Sequence, residues 1–228
     1  MYKEFAGLYD EFYRSKDYTN EVRFLNEILS SHGIKSLLDI GCGTGNHLAL
    51  LEELGYTCSG IDINQEMLEV AKTKMAGRLE CVNMNSFDMQ AKYDAVISMF
   101  AVFNHNLTLE EAKNTLTCLK KHLRANGIVI LDLYNPQSEG RKQNMVGNVE
   151  RVMEWQFKPD NICLTTLTFI KNGQSLESQF PLRIYSISEL ESLFKECGFQ
   201  DVQFYENYKF NSGSPASRNL IVTACLQD

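Results

Sequence analysis

The stretch Leu37-Leu38-Asp39-Ile40-Gly41-Cys42-Gly43-Thr44-Gly45, with Gly60-Ile61-Asp62 beyond it, decides how this chain is expected to fold. Ser36 to Ile40 reads as a short apolar strand that runs into a glycine-rich turn. Glycines there let the backbone turn tightly and approach a ligand without a Cβ in the way. The following helix, His47 to Leu54, presents unpaired N–H groups at its start, where open α/β sheets bind ligands. A second strand, Thr57 to Ile61, delivers Asp62 to the same edge. A carboxylate at that place can take both hydroxyls of an adenosine ribose, a role common to several nucleotide-type cofactors. The dinucleotide fingerprint needs a further glycine at position 46, and Asn46 stands there instead. That spacing argues against a nicotinamide oxidoreductase.

Working outward, Glu21 to His32 predicts an amphipathic helix with Val22, Leu25, Ile28 and Leu29 on one face. Asn64 caps a helix through about Met75, and Thr108 with Glu111 forms a capping-box pattern before another. Leu79 to Val82, Ala95 to Phe100 and Ile128 to Leu133 read as further strands, largely apolar as in a sheet covered on both faces. Strands alternating with helices predict a doubly wound α/β sheet. The rhythm then changes. Val149 to Phe157, Ile162 to Lys171 and Ser175 to Tyr185 are strand-like runs with no helix between them, and Lys171-Asn172-Gly173 is a strong hairpin cue. They predict an antiparallel sheet inserted over one edge of the main one, spanning residues 145–186. Ser188 to Cys197 returns to helix, followed by strands near Val202–Tyr208 and Asn219–Leu226.

With 228 residues, the expectation is a single domain over 1–228, with residues 1–34 as an N-terminal helical lid. The seven cysteines are scattered without a CxxC pair, and no HExxH occurs, so neither a disulfide scaffold nor a metal site is expected. A formal net charge of −7 opposes a nucleic-acid groove, which needs clustered Lys and Arg. The densest basic stretch, Lys120-Lys121-His122-Leu123-Arg124, ends a predicted helix, where it complements the helix dipole. No apolar run approaches the roughly 20 residues of a membrane helix, and the N-terminus lacks a signal core. A cytoplasmic protein acting on a small molecule is therefore expected.

In combination these segments resemble the class I S-adenosylmethionine-dependent methyltransferases. Leu37 to Gly45 looks like their motif I, and Gly60-Ile61-Asp62-Ile63 resembles motif II with its ribose-binding acid. Cys81-Val82-Asn83-Met84-Asn85 is similar to the segment that meets the adenine amino group, with Asn83 at the usual acidic position. Tyr93 to Met99 resembles the fourth strand, with Met99 near the methionine portion of the cofactor. The resemblance implies a Rossmann-like seven-stranded sheet with helices on both faces, and S-adenosyl-L-methionine as cofactor. Asp39, Gly41, Cys42, Gly43, Gly45, Asp62, Ile63, Asn83, Met84 and Met99 are the residues it implies at the cofactor.

Leu8-Tyr9-Asp10, Lys16-Asp17-Tyr18 and Ser98-Met99-Phe100 with His105 are similar to the N,N-dimethyltransferases of dTDP-aminosugars. That likeness implies cofactor contacts by Tyr9, Tyr18 and Tyr2, an active-site role for His105, and a substrate-phosphate contact for Arg218. Two segments depart from that group: its Trp-rich stretch after the fifth strand is Leu133-Tyr134-Asn135-Pro136, and its Gly-Arg-Gly turn is Ser217-Arg218-Asn219. Both lie on the substrate side. Tyr134-Asn135-Pro136 also has the look of an Asn-Pro-Pro-Tyr type signature, but that signature follows the fourth strand and this tripeptide follows the fifth. Tyr134, Arg183 and Arg218 are the substrate-side candidates. Among Tyr9, Phe12, Tyr13 and Tyr18, aromatic faces suit a cationic sulfonium, with Phe12 assigned to core packing.

An amine nucleophile must be neutral to attack, and imidazole changes charge near neutral pH, which makes His105 the catalytic candidate. The expected reaction is methyl transfer to a small amine such as an amino sugar. A hydroxyl acceptor, or cofactor binding without turnover, are the alternatives. The inserted sheet roofs the substrate pocket or forms a homodimer surface, and its sequence does not choose.

Overall fold

The computed structural model describes residues 2–13 and 16–226, without the side chains of residues 2–6. Its main sheet has the order β11-β10-β12-β5-β4-β1-β2-β3 among the described residues. Strands β1 (Ser36–Ile40), β2 (Thr57–Asp62), β3 (Arg78–Cys81), β4 (Tyr93–Ser98) and β5 (Leu123–Tyr134) run parallel. β10 (Phe199–Glu206), β11 (Lys209–Ser212) and β12 (Asn219–Leu226) complete it antiparallel, β12 lying between β5 and β10. The sheet thus carries eight strands and not seven, because the short edge strand β11 adds to the expected set. All four β11 residues are exposed, so it has no apolar alternation by which a sequence reader could find it.

Central strands are buried on both faces, as their unbroken apolar runs require: Leu37, Leu38, Ile40, Val129, Ile130 and Leu131 are wholly covered. Helices α2 (Tyr18–Ser31) and α3 (Asn46–Glu53) contribute to one core, with Leu25, Leu29, Leu48 and Leu51. α5 (Leu109–His122) and α6 (Ile187–Glu196) bury Leu116, Leu119, Leu190 and Phe194 on the other side. The capping box of Thr108 and Glu111 forms as read from the sequence, and so does the Asn64 cap of α4 (Gln65–Ala71). At the end of the sheet away from the glycine turn, Asp94 accepts hydrogen bonds from the Ser36 amide and Arg124, at 2.8 and 2.6 Å. These tie the starts of β1, β4 and β5 together.

One boundary moves at β5. The sequence places the end of the helix near Ala125-Asn126-Gly127, yet α5 stops at His122 and the strand begins at Leu123, carrying these residues in an exposed irregularity between the pairs Tyr93–Leu123 and Ala95–Ile128. Asn126 has φ +59°, a left-handed conformation that asparagine tolerates.

The second sheet has the order β6-β7-β8-β9, all antiparallel: β6 (Gly140–Val146), β7 (Val149–Lys158), β8 (Ile162–Lys171) and β9 (Gln174–Arg183). It begins before residue 145 and ends before 186, and β6 is an additional strand. Its run Arg141 to Met145 is exposed and mostly polar, which suits an edge strand and hides it from hydrophobic pattern reading. Pro181 lies in β9, at the opposite edge, where a missing N–H is tolerated. Helix α1 (Tyr2–Tyr13) does not stand alone. Phe12 and Tyr13 share a core with Val149, Leu167 and Phe169 of the second sheet, and Tyr9, Tyr18 and Phe100 pack on it.

Candidate active site

The glycine turn after β1 is tied to β2 by its own backbone: Ile61 O accepts from the amides of Gly41 (2.7 Å) and Cys42 (2.9 Å). Gly41 and Gly43 have φ +71° and +55°, and a Cβ on Gly41 would collide with Val102. At Gly43 nothing lies within 4 Å of a built Cβ, so the backbone is open to a ligand. Asp62 accepts from the Gly43 amide at Oδ2 and from the Asn64 amide at Oδ1, each at 2.8 Å, which aims the carboxylate while burial raises its pKa.

Asp39 is 1% exposed and its Oδ1 has no hydrogen-bond partner among the described residues. Burial, aided by neighbouring Asp62, raises its pKa well above the usual carboxylate range. A buried acid with an unused oxygen is costly unless a donor or cation meets it. Asp39 lines a recess of about 40 Å³ with Tyr9, Tyr18, Gly41, Cys42, Gly43 and Met99, so seven of the sequence candidates converge there. The donor set fits a ligand with a cationic group, which meets the requirement of S-adenosylmethionine.

The N-terminal segment closes the recess through polar contacts. Asp10 accepts from Lys74 and from Thr44 Oγ1 (2.9 Å), joining α1 to α4 and to the glycine turn. Asn46 donates to the Tyr18 hydroxyl (3.2 Å) and accepts from Lys74 (2.7 Å). Lys16 sits over the Phe100 ring at 3.7 Å and pairs with Glu21 at 2.6 Å, and Glu21 is also 2.8 Å from His47 Nε2. Burial lowers the Lys16 pKa.

A cleft of about 630 Å³ continues from Gly41, Gly43 and Asp62 under the second sheet. His105 lines it from the short helix Val102–His105 after β4, its ring 5.5 Å from Phe180. Burial lowers the His105 pKa, which favours the neutral imidazole. Tyr134 and Arg218 also line the cleft, and the single tryptophan, Trp155 of β7, stands between them: 6.4 Å from the Tyr134 ring and 5.4 Å beneath the Arg218 guanidinium. Arg151 reaches in from β7, donating to the Tyr13 hydroxyl at 2.6 Å with its Nε unpaired.

Five sequence candidates are not brought to either cavity. Gly45 packs by its φ +75° backbone against Ala71. Ile63 is 72% exposed outside the cleft. The Asn83 carbonyl accepts from the Asn85 amide at 2.8 Å in a local turn, and Met84 packs on the core. Arg183 points the other way: it pairs with Glu189 at 2.8 Å and donates to the Asp160 carbonyl at 3.2 Å. The neighbouring Tyr185 hydroxyl donates to Asn106 O at 2.6 Å. The Tyr2 side chain lies outside the described residues. Conversely, Asp132, Tyr208, Arg151, Lys142 and Glu21 line the cleft without having been singled out. Asp132 left one signal, an acid inside the apolar run Ile128 to Leu133.

Comparisons with known proteins bear on this arrangement. Residues 37–127 match a family model described as a methyltransferase domain. Over 139 residues the chain is 33% identical to the dTDP-3-amino-3,4,6-trideoxy-alpha-D-glucopyranose N,N-dimethyltransferase of Streptomyces venezuelae. That alignment covers 58% of this chain and 58% of the relative's length. Among solved structures, DesVI of Streptomyces venezuelae is similar over 98% of both chains, with a TM-score of 0.80 and 25% identity. An S-adenosylmethionine-dependent methyltransferase of Clostridium acetobutylicum shares the fold at TM-score 0.85 and 21% identity, over 100% of this chain and 99% of that one.

Proposed function

We propose that the chain is a class I S-adenosylmethionine-dependent methyltransferase that methylates a small amine, an amino sugar being the leading case. The observation that carries the reading is a recess and a cleft that meet at Gly41 and Gly43: Asp39 lines the recess and Asp62 the cleft beside it, while His105, Arg151 and Arg218 line the same cleft. S-adenosylmethionine, when bound, supplies a methyl group already activated on a sulfonium. The protein therefore needs chiefly to align and to exclude water.

In this reading Asp62 takes ribose hydroxyls, Asp39 meets the cationic end of the donor, and the faces of Tyr9 and Tyr18 flank it. Of the lid expected over residues 1–34, α1 covers the donor, held down by the Asp10 contacts, while α2 belongs to the main core, and the second sheet roofs the acceptor. His105 holds the acceptor and takes its proton on an imidazole nitrogen, which its lowered pKa leaves free near pH 7. Arg218 and Arg151 give an anionic group on the same acceptor a place to bind. Resemblance to an aminosugar N,N-dimethyltransferase supports the choice of nitrogen.

Calorimetry with S-adenosylmethionine, followed by methyl transfer to a dTDP-3-amino sugar and to glycine, tests the proposal. Cofactor binding with methylation of an amine is expected. A protein that binds the cofactor but methylates only hydroxyl acceptors would overturn the amine reading.

A further inference from the structure

We propose that Asp132, alongside His105, meets the acceptor nitrogen, helping to hold the amine and offsetting the positive charge that nitrogen gains as the methyl arrives. The inference rests on the methyl-transfer reading above and adds a residue and a charge requirement to it. Asp132 stands near the end of β5, is 2% exposed and lines the cleft together with His105 and Tyr134. Its Oδ2 accepts from the Phe100 amide (3.0 Å) and the Tyr208 hydroxyl (2.5 Å), while Oδ1 has no hydrogen-bond partner among the described residues.

Part of this arrangement is structural. Phe100 and Ala101 are both left-handed, with φ +63° and +62°, and Asp132 steadies them through its side chain and through its carbonyl, which accepts from the Ala101 amide at 3.2 Å. Steadying a turn needs one neutral oxygen, and an asparagine would provide it without burying a charge. The second oxygen remains unaccounted for, and an unpaired carboxylate away from water is costly. Lys16 is the nearby cation, and its ammonium is committed to Glu21. Burial raises the Asp132 pKa, with Glu21 raising it further and Tyr208, Lys16 and the Phe100 amide opposing. A cationic ligand group beside Oδ1 would lower it again.

The chemistry supplies such a group. The nitrogen lone pair forms the new N–C bond while the C–S bond breaks and its electron pair stays on sulfur as a neutral thioether. The unit positive charge thereby moves from sulfur to nitrogen, and the proton then leaves the ammonium for a base or solvent. A carboxylate on the nitrogen side favours that displacement of charge. It does little for a hydroxyl acceptor that attacks as its oxyanion, since no positive charge then builds on the oxygen.

The test uses the full chain saturated with S-adenosylhomocysteine and methylammonium chloride as the probe, titrated at low salt by ligand-observed NMR. Asp132→Asn, which keeps an oxygen for the Phe100 amide, is expected to weaken methylammonium at least tenfold while S-adenosylhomocysteine affinity stays within twofold. Asp132→Glu should restore most of the binding. Should the asparagine variant not fold, Asp132→Ser carries the same comparison. Equal methylammonium binding with and without the carboxylate, no binding to either, or a parallel loss of S-adenosylhomocysteine affinity would each overturn the proposal. The amine reading itself fails separately, when no amine is methylated by the unaltered protein.

Discussion

The two ends of the cleft are built by different means. The end under the glycine turn is mostly backbone: the amides of Gly41, Cys42, Gly43 and Asn64, held by Ile61 O and Asp62, within two adjacent strands. The end under the second sheet is made of side chains from separate parts of the chain, namely His105, Asp132, Tyr134, Arg151, Tyr208 and Arg218. Backbone geometry is shared by any sequence that can make the turn, so it suits a constant ligand. Side chains drawn from several elements can be exchanged one at a time without dismantling the sheet, so they suit an acceptor that varies.

Substitutions should separate these ends, and the largest effect is expected at the backbone-built one. Asp62→Ala removes a carboxylate that orients two amides. Charge-assisted hydrogen bonds are worth about 1.5–3 kcal/mol each, so affinity for S-adenosylmethionine should drop about 100-fold by calorimetry. An unchanged affinity would break the division. Next comes Arg218→Ala, which should raise the KM of an anionic acceptor about tenfold with the cofactor affinity unaltered, since only the side-chain-built end loses a contact. A smaller change is expected of Asp10→Asn: losing its charge toward Lys74 should weaken the cofactor about threefold, as one partly exposed ion pair permits. If cofactor affinity stays constant, α1 belongs to the roof alone.

Asp94→Ala, at the far end of the sheet, should touch neither ligand and change only stability. Arg124 and Ser36 hold the folded pKa of Asp94 at about 2, against about 3.9 unfolded. The unfolded chain binds the proton more readily, so the contribution is complete above pH 4 and is lost as pH falls through 2. Discounted for partial exposure, it amounts to about 1 kcal/mol. Urea titrations at pH 7 and pH 2 should show the variant less stable at the first and equal to wild type at the second.

Particular residues show why one end was legible and the other was not. Asp39, Gly41, Gly43 and Asp62 belong to short strands and a turn whose spacing survives in one dimension, and they meet in the structure without surprise. Asn83 fitted its position in the linear pattern, but its carbonyl turned to a neighbouring amide. Arg183 fitted a substrate role by charge, but Glu189, six positions on in the helix that follows, lay within reach first. Local hydrogen bonds of this kind compete with a distant ligand, and linear order does not rank them.

From the sequence alone came the alternation of strand and helix, the glycine turn, the acid after β2, and the change to antiparallel strands near residue 149. Each is a local consequence of periodicity, glycine freedom or capping, and needs no distant partner. Only the tertiary structure decided that α1 and the second sheet share one core over Phe100, that β6 and β11 are strands, and that Arg151 and Trp155 arrive beside Tyr13 and Tyr134. It alone showed Asp132 buried with an oxygen unused. Such features depend on long-range packing, which sets what surrounds a side chain, and an acid in an apolar strand reads the same in sequence whether its charge is met or not.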